Sequence, residues 1–344
     1  MEFLRNCWYV AMWSKDLESG KIVPRTLLGE GVVFFRDENG RVQAIEDRCP
    51  HRAAPLHMGT LTENGHIRCA YHGLELDGSG SCVHNPHASG RIPKDAKIQA
   101  YPVCEKHSIV WIWMGSKAAD EALIPNFDVL DGSMEISKRD YILMEANYAL
   151  VIDNLMDLSH TAFLHDGILG SKETIKANLE VTQNGNQVTV AREVPNAPVP
   201  GFFDLMYKRD NGTVDLWADI RWDAPGCMLN DTGVTDPGRP RSKGTGIYGM
   251  HFLTPETETS SHYHFAAARQ NPITWGEPID TEIREKISDL RRYAFEFQDK
   301  AVIEGQQTVL QRYRQPPKFV LLEIDGGTAR YRRIMESLIA AEKQ

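Results

Sequence analysis

The chain has 344 residues and a formal net charge of −9, with 42% hydrophobic and 25% charged residues. This is globular composition at a length that predicts two domains, and the acidic balance offers no bulk attraction to nucleic acid or an anionic membrane. No apolar run reaches the roughly 18 residues of a membrane span, and residues 1–16 lack the basic region and cleavage site of a signal peptide, so a cytoplasmic location is expected.

The first 115 residues read as strands and turns. Residues 32–36 and 42–46 are β-rich and joined by Asp37-Glu38-Asn39-Gly40, a hairpin signal. Residues 74–77 and 82–83, separated by Gly78-Ser79-Gly80, predict a second hairpin, and IVWIW at 109–113 predicts a strand buried on both faces. An antiparallel β domain over 1–116 is expected, then a polar, proline-containing linker over 117–140. In the remainder, 141–344, strands are expected at 141–145, 181–194, 216–222, 226–230, 249–253 and 261–267. Helices follow at 280–307 and 328–342, so this domain is α+β with mostly antiparallel strands.

Cys49-Pro-His51 and Cys69-Ala-Tyr-His72 form the pattern C-x-H-x17-C-x2-H. Two thiolates and two imidazoles in two loops suit a Rieske [2Fe–2S] cluster, with both Cys on one iron and both His on the other. A structural zinc site uses the same ligand types, but zinc fingers pair Cys with Cys and His with His. Here each pair mixes the two. The remaining cysteines, Cys7, Cys82, Cys104 and Cys227, read as small hydrophobes, and no disulfide framework is expected.

A cluster alone describes an electron carrier of about 100 residues, and some 220 more follow here. They contain Asp153-Asn-Leu-Met-Asp157-Leu-Ser-His160-Thr-Ala-Phe-Leu-His165, which reads first as an amphipathic surface helix with a solvated polar face. Two His and a carboxylate also make the facial site of a mononuclear Fe(II) oxygenase. His160 and His165 stand about 140° apart on an ideal helix. They share a metal only if the helix ends or distorts between them, and a break near residues 161–163 is expected. Glu296, Asp299 and Glu304 are the candidates for the carboxylate, with Asp299 preferred. Asp157, three residues before His160, is placed to hydrogen-bond that imidazole, and Asn154 to assist beside the iron.

These motifs together resemble the oxygenase component of the Rieske non-haem iron oxygenases. Tyr71-His-Gly-Leu-Glu75, Asn154-Leu-Met-Asp157-Leu and Leu253-Thr-Pro-Glu-Thr-Glu258 are similar to the branch holding vanillate O-demethylase, dicamba monooxygenase and toluenesulfonate methyl-monooxygenase. The resemblance implies a Rieske domain joined to a catalytic domain with a curved antiparallel sheet and helices. It implies a head-to-tail homotrimer in which Asp157 bridges His72 of one subunit to His160 of the next. It matches residues 298–307 to the family's third-ligand helix, favouring Asp299.

The implied reaction is O2-dependent hydroxylation of a methyl group on an aromatic small molecule. NAD(P)H supplies the electrons through a flavin reductase, a ferredoxin, or both. On a methoxylated aromatic acid the outcome is O-demethylation. N-demethylation or methyl hydroxylation of another aromatic is the alternative, and a Rieske electron carrier the non-enzymatic one. Asn230 and His251 resemble the branch's polar pocket residues. Leu290 stands where the dicamba-type branch has a tryptophan, which argues against assigning dicamba itself. Phe202, Phe203, Met206, Trp217 and Trp222 are candidate apolar walls. Arg330-Tyr-Arg-Arg333 reads as a solvated helix face or a docking patch for an acidic electron donor.

Overall fold

The computed structural model describes residues 2–132, 139–273, 276–315 and 317–343, so part of the expected linker, 133–138, lies outside the described residues. The chain forms two compact units. One is Met1–Ile124 with Thr254–Glu258, the other Pro125–Leu253 with Thr259–Gln344.

The first unit holds ten strands: β1 (Trp8–Trp13), β2 (Val23–Leu27), β3 (Glu30–Arg36), β4 (Val42–Glu46), β5 (Thr60–Leu61), β6 (Ile67–Arg68), β7 (Glu75–Leu76), β8 (Cys82–His84), β9 (Val103–Lys106) and β10 (Ile109–Trp113). They make three antiparallel sheets, β1-β10-β9, β2-β3-β4 and β5-β6-β7-β8. The β3–β4 turn closes because the Asp37 carboxylate accepts from the Asn39 and Arg41 N–H groups at 2.9 Å each. Gly40, at φ +77°, takes the left-handed position. IVWIW is buried along its whole length. Phe35, Ile45, Leu56, Ile67 and Leu76 pack around Cys49 and Cys69, so both thiols project from a rigid apolar core.

The second unit is built on a seven-stranded sheet of β11 (Asp140–Met144), β12 (Asn178–Asn184), β13 (Gln187–Pro198), β14 (Thr213–Asp223), β15 (Cys227–Thr235), β16 (Thr245–Pro255) and β17 (Ser261–Gln270). Their order is β11-β17-β16-β15-β14-β13-β12. The expected strand over 181–194 is in fact the β12–β13 hairpin, turned at Gly185 with φ +57°. The sheet also corrects the expectation of curvature. Curving a sheet takes repeated bulges or glycine kinks. The ladders described from β12 through β16 instead run residue against residue, with a single register break at Val194/Ala197. The architecture is α+β with an open sheet that is not curved.

The helices are α1 (Tyr148–Met156), α2 (Gly201–Asp204), α3 (Ile279–Arg292), α4 (Lys300–Leu310) and α5 (Gly326–Glu342). Between α3 and α4 the turn widens to a π-helix, Tyr293–Asp299. Such wide turns re-aim side chains, and they recur at functional sites. Of the basic run 330–333 only Arg333 is exposed. Tyr331 is buried, its hydroxyl donating to Ala149 O at 3.0 Å and to the Asp153 carboxylate. The Arg332 Nε–H donates to the same carboxylate at 3.0 Å. Arg330 bonds the Val181 carbonyl. The Tyr331 and Arg332 contacts clamp α5 to α1, the helix that leads into the metal-ligand segment, and the Arg330 contact ties it to β12.

Candidate active site

Two loops carry the C-x-H and C-x2-H motifs, and their backbones match. Ala53 N–H donates to Cys49 O and Cys49 N–H to Ala54 O, both at 2.9 Å. Gly73 N–H donates to Cys69 O at 3.0 Å and Cys69 N–H to Leu74 O at 2.8 Å. Ala53 and Gly73 hold the left-handed conformation, φ +54° and +73°, that closes each loop. Both thiols are buried, while the His51 and His72 rings lie outward with centroids 4.6 Å apart. Burial pushes the Cys49 thiol up, against the thiolate a metal needs, and iron offsets that by stabilising the thiolate directly. Two buried sulfurs and two outward imidazoles fit one [2Fe–2S] cluster with its histidine iron nearest the surface.

The second centre begins where α1 stops. α1 ends at Met156, before the expected break, because Asp157 turns extended at φ −111°, ψ 91°. A 3₁₀ turn, Leu158–Ala162, carries His160, and the chain turns again before His165. Asp157 caps this turn: its carboxylate accepts from Ser159 N–H at 3.0 Å and Ser159 Oγ at 2.8 Å. The two histidines therefore leave helical geometry, and their ring centroids lie 5.2 Å apart.

Asp299, last residue of the π turn, faces both. Its Oδ1 lies 3.1 Å from His165 Nε2 and 3.6 Å from His160 Nε2, and accepts from Asn154 Nδ2 at 3.1 Å. The Nδ1 atoms are already engaged. His160 Nδ1 bonds Asp157 O at 2.5 Å, and His165 Nδ1 bonds Gln298 Oε1 at 2.8 Å. Gln298 is oriented in turn by its Nε2 donating to Leu164 O at 2.6 Å. Each Nδ1 is thereby fixed as the N–H donor to a carbonyl-type oxygen, so both Nε2 lone pairs point at one spot beside a carboxylate. Ligand atoms of His160, His165 and Asp299 all lie within 4.8 Å of one another, the donor set of a facial Fe(II) site. Glu296 pairs with Arg292 at 3.2 Å, while Glu304 Oε1 accepts from Glu145 N–H at 2.8 Å, so both alternative carboxylates are engaged elsewhere.

Burial lowers the His160 pKa, and the Asp299 charge only partly opposes it. For His165, burial acts in the same direction, but the Asp299 and Gln298 bonds outweigh it and leave the pKa raised. Asp157 contributes its backbone carbonyl to His160. Its carboxylate goes instead to Arg192 Nη2, at 2.7 Å.

An apolar cavity of about 740 Å³, its open mouth included, lies over the sheet beside Leu158 and Thr161. Strand register builds its wall. Ala218, Thr232 and Ile247 share one rung, and Ile220, Asn230 and Gly249 the next. Ala218 presents only a methyl group, and a Cβ at Gly249 would come within 3.2 Å of His251 Nε2, so the missing side chain makes room for that ring. Phe202, Phe203 and Phe295 also line the cavity. Met206 sits in the core behind it, Trp217 donates to Asp231 at 2.9 Å, and Trp222 packs on Tyr331.

Asn230 and His251 line this cavity together, and Asn230 Oδ1 is buried without a hydrogen-bond partner. His251 Nδ1 is bonded to the Tyr263 hydroxyl at 2.7 Å, which leaves Nε2 for the cavity. Burial, aided by the Arg291 charge, pushes His251 down to about 3, so the ring is neutral at ordinary pH. Between pH 3 and 6.5 the unfolded chain binds a proton here that the folded chain refuses, so stability falls with acidification. Urea melts should show wild type losing about 2 kcal/mol more than His251→Gln between pH 7 and pH 5. Equal losses would contradict the neutral, buried assignment.

Sequence reasoning missed Arg192 and Arg291, two buried arginines on the cavity wall. Arg192 had a readable signal: in Val188-Thr-Val190-Ala-Arg192-Glu-Val194 the inward positions alternate, and one is a cation. Arg291, on a mostly polar helix, had none.

Comparison with known proteins agrees with this geometry. Residues 7–102 match the Rieske [2Fe-2S] domain, and residues 144–341 match the vanillate O-demethylase oxygenase C-terminal domain. The oxygenase component of dicamba O-demethylase from Stenotrophomonas maltophilia is 36% identical over 89% of this chain and 88% of its own length. The oxygenase component of chloroacetanilide N-alkylformylase from Rhizorhabdus wittichii is 35% identical over 99% of this chain and 97% of its own. A crystal structure of dicamba monooxygenase bound to 3,6-dichlorosalicylic acid superposes with a TM-score of 0.92 at 34% identity, covering 100% of this chain and 99% of that one.

The fold and the two sites are those of a Rieske non-haem iron monooxygenase. The chain belongs to the Rieske non-haem iron oxygenases, as an oxygenase component of the vanillate, dicamba and toluenesulfonate demethylase branch. It carries a Rieske cluster-binding site and a candidate mononuclear iron site. Among the described residues, no helix is long and apolar enough to cross a membrane.

Proposed function

We propose that the protein is the oxygenase of an aromatic O-demethylase acting on a methoxylated aromatic acid. The observation that carries this reading is the His160–His165–Asp299 set, with Thr161, next in the chain to His160, on the wall of an apolar cavity that Asn230 and His251 also line. Cys49, His51, Cys69 and His72 would hold the cluster, and His160, His165 and Asp299 the iron. The iron, when bound, supplies the O2-activating chemistry that the side chains lack.

The chain's own residues do the rest. Phe202, Phe203 and Phe295 exclude water and hold the ring. The substrate carboxylate accepts hydrogen bonds from the Asn230–His251 end, where the Arg291 charge adds attraction. The Asp157 carbonyl and Gln298 keep the imidazole rings in one tautomer, and Asn154 orients the Asp299 carboxylate. The balance is ArOCH3 + O2 + two electrons + two protons, giving ArOH, formaldehyde and water. Hydroxylation of the methyl group gives a hemiacetal, whose aryl-oxygen–carbon bond then breaks to release both products.

The electrons come from NAD(P)H through a separate reductase or ferredoxin. In this reading three copies form a ring, and Asp157 of one subunit meets His72 of the partner subunit, carrying the electron to His160. A panel of methoxybenzoates with a surrogate reductase tests the reaction. At least one member should release formaldehyde in step with NADH consumed. O2 consumption on N-alkyl anilides or methylarenes, with no formaldehyde from any methoxybenzoate, would replace this reading with N-dealkylation or methyl hydroxylation.

A further inference from the structure

Arg192 is the charged member of an otherwise valine row on β13, and it is 3% exposed. It lines the cavity on the rung that continues through Ala218, Thr232 and Ile247. Its Nη2 donates to Asp157 Oδ1 at 2.7 Å. Its Nε–H is buried with no hydrogen-bond partner. A buried donor left unsatisfied is destabilising, so a ligand oxygen that meets it recovers a large share of the lost solvation.

We propose that Arg192 is a specificity and positioning residue. Its Nε–H donates to a neutral oxygen acceptor on the aromatic ring, the ether oxygen, while Nη2 holds the Asp157 segment that positions His160. The acceptor is neutral because Asp157 already balances the guanidinium charge. A second full negative charge fits better at the Asn230–His251 end, where Asn230 lies two strands away, roughly 10 Å across the sheet, and His251 one strand further. Occupancy of the cavity is thereby tied to Asp157, whose carbonyl holds the His160 ring. A planar guanidinium does this with two donors in fixed relation, which a lysine cannot reproduce.

The inference rests on the proposed aromatic substrate but is tested apart from demethylation. Binding of 3-methoxybenzoate and benzoate is measured anaerobically by calorimetry on the full, cluster- and iron-loaded oxygenase, for wild type, Arg192→Gln and Arg192→Lys. Reoxidation of the pre-reduced cluster by O2 is followed by its visible absorbance, with and without each ligand. Wild type should favour the methoxylated ligand by roughly tenfold or more, and that ligand should accelerate reoxidation. Both variants should lose the preference and the acceleration while still binding benzoate. Arg192→Lys keeps the charge beside Asp157, so it reports even if Arg192→Gln fails to fold. A preference and acceleration unchanged in the lysine variant would overturn the role of Arg192. So would wild type showing no preference. Formaldehyde release is scored separately, so loss of the demethylation reading and loss of this one give different results.

Discussion

Asp299→Ala is expected to lower product formation by more than about 100-fold while leaving the visible cluster spectrum unchanged. Residues that merely orient a ligand cost 10- to 100-fold when removed, and Asp299 is argued to be a ligand itself. Its Oδ1 is the point on which Asn154 Nδ2, His160 Nε2 and His165 Nε2 converge, so no nearby group replaces it. Asp299 is 4% exposed and ends the π turn, so truncation leaves a small polar void rather than a broken helix. Glu304→Ala is the matched control. That carboxylate bonds Glu145 N–H and Lys300, and its loss should leave turnover near wild type. Turnover surviving in Asp299→Ala, or lost only in Glu304→Ala, would move the third ligand.

Cys69→Ser is expected to abolish the visible absorbance of the cluster and all reductase-driven turnover. Cys69 is 2% exposed in the apolar core that also holds Cys49, and the two matched loops bring four ligands together from two chain segments. A cluster that joins two loops contributes folding free energy as well as electrons, so the thermal midpoint should fall too. Cys82→Ser supplies the contrast. Its Sγ lies 3.4 Å from His84 O, outside the motif, so the cluster spectrum should persist. Retained absorbance in Cys69→Ser would place the cluster elsewhere.

How much was legible in the sequence depended on whether a signal was local. The β3–β4 hairpin, the IVWIW strand and the two cluster loops rest on short-range chemistry: Asp37 and Gly40 in one turn, a short continuous apolar run in a strand, ligand spacing in the motifs. The need for His160 and His165 to leave helical geometry was also readable, because 140° of separation cannot serve one metal. Where the helix ends was not. That depends on Asp157 turning extended to cap the next turn and meet Arg192, a residue 35 positions away. The same holds for the π turn, which interrupts a stretch expected as one helix over 280–307. Curvature was inferred from resemblance alone, and the continuous strand register overrules it. The basic run at 330–333 looked solvated because its partner, Asp153, lies on another helix.

The central claim is that one chain holds a Rieske cluster and a separate mononuclear iron. Metal and sulfide analysis of the purified, anaerobically loaded protein tests it most directly. The account predicts about three irons and about two acid-labile sulfides per chain, falling to about two irons with sulfide unchanged in the His160→Ala, His165→Ala double variant. Zinc without sulfide, or iron content unaffected by removing both histidines, would contradict it.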